Sequence, residues 1–209
     1  MLGWLQHLES RKLRVVLLGV VGGCLLFLSL PAAAINYGSG TYGKCQYGSC
    51  SISLTSNGTV IVNVTPAASG NCTIQKDTVS VLTSSSTGYT LTFTGSTTNT
   101  ALTNGAASIA ASTATRISPA ALTPNHWGYR VDGMGGFGTG PTTAQSNIAP
   151  GALTFAGVPA GNAAADTLAT SSVAANPAVA TNVWYGVCAN TSVPSGTYTT
   201  QVTYTAITN

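Results

Sequence analysis

The stretch Val183-Trp184-Tyr185-Gly186-Val187-Cys188-Ala189, followed after a seven-residue link by residues 197–207 (TYTTQVTYTAI), decides the fold class. In residues 197–207, Tyr198, Val202 and Tyr204 alternate with threonines. Such a period of two is typical of a strand with one buried face and one face in water. Both stretches therefore predict β-strands. The final strand carries no Lys, Pro or bulge signal that would protect an edge, so it is either internal or an edge that another subunit covers, and we expect it to lie inside its sheet.

Other segments upstream carry the same type of signal. Residues 51–55 and 59–65 flank Asn57-Gly58, which predicts a hairpin with a bulged three-residue loop, or two strands in different sheets. The next predicted strand is residues 72–82, where the apolar positions change parity between Ile74 and Val79, so we expect a bulge or a bend there. Two further strands follow at residues 89–94 and 127–131, each with alternating aromatic or apolar residues.

Two long segments between these strands, residues 95–124 and 133–182, carry few apolar anchors and predict irregular inserts. The Ala-rich part of the second insert is compatible with one short helix. Six to eight strands separated by turn signals predict an all-β fold, with a Trp in two of the strands. We expect an immunoglobulin-like antiparallel β-sandwich with two long irregular inserts.

The first 34 residues have the three parts of a secretory signal segment. A basic part ends at Arg14, an apolar run covers residues 15–30, and Ala32-Ala33-Ala34 offers the small residues that signal peptidase accepts. A retained membrane anchor is the alternative, although sixteen apolar-run residues with three glycines are short for a span of about 20. We therefore expect cleavage after Ala34, a Gly/Tyr-rich leader over residues 35–48, one β-sandwich domain over residues 49–209, and a secreted or cell-surface location.

Four cysteines follow the predicted cleavage site, and an even number in an exported chain predicts disulfides. Cys45 and Cys50 are close enough in sequence to close a small loop, which leaves Cys72 to pair with Cys188. The Cys72–Cys188 bridge would correspond to the disulfide that joins the two sheets of an immunoglobulin-like sandwich. A Cys50–Cys72 pairing would join strands two apart, about 9.6 Å away in a sheet. Sequence alone leaves the connectivity open.

Charge excludes some classes of partner. Charged residues are 5% of the chain, against about 25% in an average soluble domain. After Ala34 only four basic and three acidic residues remain, and the basic residues are not clustered. Because phosphate binding needs clustered Lys and Arg, nucleic acid is not an expected partner.

The best polar and aromatic cluster lies on the predicted strand His126-Trp127-Gly128-Tyr129-Arg130. Trp127 and Tyr129 share one face and could form a sugar-binding platform, although core packing is the commoner use of a Trp in a sandwich. His126 and Arg130 lie on the opposite face and could orient a small anionic ligand. Arg130 with Asp132 or Asp77 is interpreted as a structural ion pair. For Trp184, on the same strand as Cys188, we expect core packing.

Signals for catalysis, cofactors and metals are weak. Residues 133–140 (GMGGFGTG) resemble a phosphate-binding loop but lack the Gly-Lys-Ser/Thr ending. No Glu follows Ala34, so paired-carboxylate chemistry would depend on Asp77, Asp132 and Asp166. One His after the cleavage site and the cysteine spacing match no zinc pattern. We therefore expect no catalytic residue, no cofactor and no metal site, with a secreted hydrolase around His126 as a minor alternative.

Four segments together resemble exported surface proteins of bacteria, including those of ultrasmall host-attached lineages. They are Tyr37–Gly43, Trp127–Val131, Phe155–Pro159 and Gly196–Tyr204. The resemblance implies a non-catalytic envelope or adhesion role and assigns no site residues. The expected function is a structural or adhesive surface module that contacts a cell-envelope or host-surface component, a glycan or another copy of itself. A carbohydrate-binding module using Trp127 and nearby tyrosines is the alternative, and a membrane is expected as a partner only through an uncleaved signal segment.

Overall fold

The structure is a computed structural model that describes residues 50–209. The predicted signal segment (residues 1–34), the leader (residues 35–48) and Cys45 lie outside the described residues, so the cleavage and the Cys45–Cys50 bridge stay predictions. The described part is all-β and contains no helix, and hence no helix long and apolar enough to cross a membrane. The short helix expected in the second insert is therefore not found there.

Twelve strands make up the described residues: β1 Ile52–Thr55, β2 Asn71–Thr83, β3 Tyr89–Gly95, β4 Leu102–Asn104, β5 Ala107–Ala111, β6 Ala120–Ala121, β7 His126–Val131, β8 Gln145–Ile148, β9 Thr154–Phe155, β10 Asp166–Ser171, β11 Ala175–Ala189 and β12 Val202–Thr208. A large sheet has the order β1-β2-β11-β7-β5-β4. β1 pairs with the C-terminal end of β2, and β8 pairs with the N-terminal end of β2. A small sheet has the order β10-β3-β12, and β6 pairs with β9 in a short ribbon.

The two sheets share one hydrophobic core. Phe93 of the small sheet packs against Tyr129 and Tyr185 of the large sheet, with ring centroids 4.7 and 6.4 Å apart. Aromatic pairs at such distances add specific contacts to the burial of their area. The architecture is therefore sandwich-like, and the alternation predicted for residues 89–94 is confirmed, since Tyr89, Leu91 and Phe93 are all buried in this core.

The other face of the large sheet is covered as well. Cys72, Ile74, Trp184 and Cys188 pack with side chains from around the β6–β9 ribbon in a second buried cluster. This arrangement explains the parity change in residues 72–82, because β2 presents one face to the second cluster near Ile74 and the other face to the shared core from Val79 onward. The bulge predicted between those residues is wrong, since β2 pairs with β11 there in continuous register. Core packing of Trp184 is confirmed.

The disulfide Cys72–Cys188 is confirmed, but its predicted position between two sheets is wrong. The two cysteines face each other in the β2–β11 ladder, so the bond joins neighbouring antiparallel strands of the large sheet. β11 begins at Ala175, earlier than the predicted start at Val183. A register shift between Ala175 and Val179 accommodates Pro177, which cannot donate to the ladder.

The hairpin predicted around Asn57-Gly58 is wrong. β1 pairs with the C-terminal end of β2, matching Ile52 with Thr83, and residues 59–65 are not assigned to any strand. The pairing of β1 with β2 provides a long apolar partner strand, which a local turn signal cannot outweigh. The two irregular inserts are also corrected, because residues 95–124 contain β4, β5 and β6, and residues 133–182 contain β8, β9, β10 and the start of β11.

The final strand differs from the expectation in its place. Alternating burial is confirmed, with Val202, Tyr204 and Ala206 half-buried and the threonines between them exposed. However, β12 pairs only with β3 among the described residues and is an edge of the small sheet, not an internal strand. The alternation of residues in a sequence shows which face of a strand is buried, but not how many strands pair with it. The second edge of β12 has no hydrogen-bonded strand among the described residues.

Candidate functional site

The four predicted ligand-binding residues on β7 are divided between its two faces. Trp127 and Tyr129 point into the shared core and are 3% and 0% exposed. The Trp127 Nε1 donates to the Thr100 carbonyl at 2.9 Å. The Tyr129 hydroxyl donates to the Asp166 carboxylate at 2.5 Å, and burial, assisted by that carboxylate, raises the pKa of Tyr129. Their polar atoms are thus satisfied inside the protein.

Arg130 and His126 lie on the opposite face of β7 and also have internal partners. The Arg130 guanidinium is buried and donates to the carbonyls of Thr154 and Phe137 at 3.2 and 2.8 Å, which holds residues 133–140 against the sheet. Its Nε lies 3.7 Å from Asp132, so the predicted ion pair is confirmed with Asp132. His126 Nδ1 lies 2.9 Å from Thr123 Oγ1 and 3.0 Å from the Pro124 carbonyl. Ligand binding by these residues stays a prediction.

The principal concavity in the described residues is a groove of about 500 Å³ beside the shared core. Residues 56–62 contribute one rim and residues 198–204 contribute the other. Trp127, Tyr185 and Val187 lie on the floor, so the tryptophan of the predicted site is one of the residues that line this groove. Apolar and aromatic side chains therefore form most of its base.

The first rim is an extended segment without a strand partner. Val60, Val62 and Val64 are half-buried and pack against the core, whereas Ile61 and Asn63 between them are exposed. This is the burial period of a strand. Yet residues 59–64 make no backbone-to-backbone hydrogen bond within the part of the chain that the structure describes. The Asn63 carbonyl accepts a hydrogen bond from the Thr73 hydroxyl at 2.8 Å, and the backbone of residues 59–62 has no partner among the described residues, so it offers an edge at which another strand could pair.

The second rim continues into β12. Tyr198, Thr200, Val202 and Tyr204 are half-buried and the residues between them are exposed. Thr199 exchanges two backbone hydrogen bonds with Thr103, at 2.9 and 3.0 Å, and from Val202 onward the pairing is with β3. The edge that faces residues 56–62 has no strand hydrogen-bonded to it among the described residues. Two unpaired strand-like edges therefore lie on either side of one apolar floor.

A polar cluster lies beneath the middle of the groove. Asp77 is 2% exposed, and its Oδ1 accepts a hydrogen bond from the Asn57 backbone N–H at 2.8 Å. The hydroxyls of Tyr185 and Tyr204 lie 2.6 Å apart, and the Asp77 carboxylate is near Tyr204. Burial raises the pKa of both tyrosines. The cluster fixes the first rim to the floor and keeps both hydroxyls protonated, so it supplies no activated nucleophile.

Within residues 50–209 no group of three or more His, Cys, Asp or Glu side chains is placed to hold a metal ion. The chemistry available in the groove is therefore backbone hydrogen bonding along two edges and apolar contact with the floor. No protein-family model, curated protein or solved structure matches this chain.

Sequence reasoning identified both rims as alternating segments but missed the groove. It paired residues 59–65 with β1 and placed residues 197–207 inside a sheet, so neither edge was expected to be open. A signal was present, since neither rim carries Lys, Arg or Pro, the residues that usually protect an exposed edge.

Proposed function

We propose that this protein is a secreted or surface-exposed, non-catalytic structural or adhesive module of a bacterial envelope. In this proposal it holds its partner by pairing an extended polypeptide strand in the groove between residues 56–62 and 198–204. The observation that carries the proposal is the pair of unpaired, half-buried edges on either side of an apolar floor.

Strand addition accounts for the chemistry of the groove. An extended peptide between two open edges gains backbone hydrogen bonds on both sides, and pockets for alternate side chains provide specificity. Among the described residues Asp77 is the one charged side chain that lines the groove, and it already accepts a hydrogen bond from the Asn57 backbone. An uncharged partner segment therefore fits better than a charged one.

We infer an immunoglobulin-like sandwich, supported by the two sheets and their shared core. The Cys72–Cys188 disulfide supports an oxidising, extracytoplasmic location. A sugar platform on Trp127 is less favoured because the ring is 3% exposed, and such platforms need an open aromatic face.

A pair of neighbouring substitutions tests this function. Val62 is half-buried on the groove side of its rim, and Ile61 is 69% exposed on the other side. Val62→Asp introduces a charge into the groove. In cells that export the protein, we therefore expect this variant to raise the ratio of protein in the medium to protein in the washed surface fraction several-fold over that of the unsubstituted protein. Ile61→Asp should distribute like the unsubstituted protein.

Near-ultraviolet circular dichroism of the buried tryptophans checks that both variants are folded. Thr200→Trp, which fills the groove from the second rim, repeats the test if Val62→Asp does not fold. A folded groove variant retained at the surface as well as the unsubstituted protein would contradict the proposal. Saturable binding to one glycan on an array, lost in a folded Trp127→Ala variant, would identify a sugar-binding module instead.

A further inference from the structure

We propose that the strand bound in the groove is residues 35–44 (INYGSGTYGK) of a second copy of this chain. This inference rests on the proposed function and names its partner. Copies of the module would then assemble head-to-tail. The leader of each copy would occupy the groove of the next copy.

The composition of residues 35–44 suits the groove. Residues 35–43 carry no charged side chain, and the groove lining is uncharged apart from Asp77. Three glycines in this segment allow close approach of backbone to the two rims. Ile35, Tyr37 and Tyr42 provide apolar and aromatic side chains for a floor formed by Trp127, Tyr185 and Val187.

The length of the segment also fits. The lining residues of each rim fall within a span of seven residues, 56–62 and 198–204, which corresponds to about 23 Å of strand at about 3.3 Å per residue. Ten extended residues span about 33 Å on the same scale. Residues 45–49 remain as a link to the first described residue.

A second copy is favoured over the same chain by where the described residues begin. Ser51 precedes β1 and bonds to Ser84, which directly follows β2. The rim starts at Ser56, at the other end of β1. β1 also contacts β12 in this region. A leader folding back from Ser51 would therefore have to pass the place that β1 already occupies beside β12, and the leader of another copy does not meet this obstacle.

Mixing two half-competent variants tests the proposal. The donor variant keeps its leader but has its groove filled by Thr200→Trp. The acceptor variant lacks residues 35–44 and keeps an intact groove. We expect each purified exported variant to sediment as a monomer, an equimolar mixture to form a 1:1 complex, and the unsubstituted protein to form a series of oligomers.

Matched acceptors locate the contact. An acceptor with Val62→Asp should lose the complex, and one with Ile61→Asp should keep it. The proposal is overturned if the acceptor associates with itself, which would indicate edge-to-edge pairing of β12, or if the unsubstituted protein is monomeric at all concentrations. It is also overturned if the folded donor and acceptor do not combine. In that last case, release of Val62→Asp from the cell surface would leave the proposed function standing with a different partner.

Discussion

At the scale of single residues, buried tyrosine hydroxyls are the main titratable feature of this protein. Tyr129 donates to Asp166, and Tyr204 lies between Tyr185 and Asp77 beneath the groove. Desolvation by burial is the first cause of the raised pKa of all three tyrosines. Each is therefore held in its protonated form at a pH where a solvated tyrosine ionises.

This predicts a loss of stability at high pH. In the unfolded chain the three tyrosines ionise near pH 10, while the folded protein keeps their protons, so the stabilisation is complete below about pH 10 and falls as the pH rises further. Each tyrosine contributes up to about 1.4 kcal/mol per pH unit to the slope. Urea unfolding from pH 7 to 11 measures how the free energy of unfolding changes with pH. Tyr129→Phe should reduce that slope by the contribution of one titrating proton, up to about 1.4 kcal/mol per pH unit. An unchanged slope in that variant would contradict the assignment.

At the scale of secondary-structure elements, the contact between β7 and β9 depends on one glycine. The backbone of Tyr129 exchanges two hydrogen bonds with Ala156, both 2.9 Å long, and a Cβ on Gly128 would lie 2.4 Å from the Ala156 carbonyl oxygen. A methyl group there forces the backbone of the β9 segment away from β7, since the obstructing atom is not a flexible side chain.

We therefore expect Gly128→Ala to lower the free energy of unfolding by about 1–3 kcal/mol, the usual cost of overpacking. Thermal and urea denaturation measure the change. Loss of the second buried cluster around Phe155 and Trp184 should appear as weaker near-ultraviolet circular dichroism. A variant as stable as the unsubstituted protein would show that β9 adjusts freely.

Strand identity could be predicted here better than strand pairing. The alternation in residues 89–94, 127–131 and 202–207 identified β3, β7 and β12. In β3 and β12 it follows the burial of one face, whereas β7 is buried on both faces. β4, β5 and β6 were missed since they are only two to five residues long and carry Ala and Thr. β4 and β5 pair with each other across a two-residue turn, whereas the partner of β6 is β9, more than 30 residues away in sequence, and no local pattern specifies it.

The candidate site could be predicted only in parts for the same reason. Trp127 was singled out and lies on the floor of the groove, but the sequence gives no distance between residues 56–62 and residues 198–204, which approach each other only through the fold. The parity change at Ile74 was interpreted as a bulge because a second buried cluster on the far face of the sheet was not foreseen.

At the scale of the whole molecule, the structure joins a disulfide-bonded large sheet to a small sheet with an open edge. The strongest ladder, β2 with β11, lies in the centre of the large sheet, and β12 at the margin of the small sheet pairs on one side only among the described residues. The longest ladder and the proposed binding edge are thus located in different parts of the same domain, so strand binding in the groove, as proposed, would not require the central ladder to change.

The Cys72–Cys188 bond also determines how the protein responds to pulling force. The cysteines are 116 positions apart, so tension applied at the ends can straighten only the chain outside the bond, and β3 to β10 are shielded from the load. Reduction releases those 116 residues, about 40 nm of extra contour at about 3.6 Å per residue. Single-molecule stretching with and without reductant should show this difference, and equal extensions would contradict it. A filament of such modules would give way by short steps and keep most of each subunit intact.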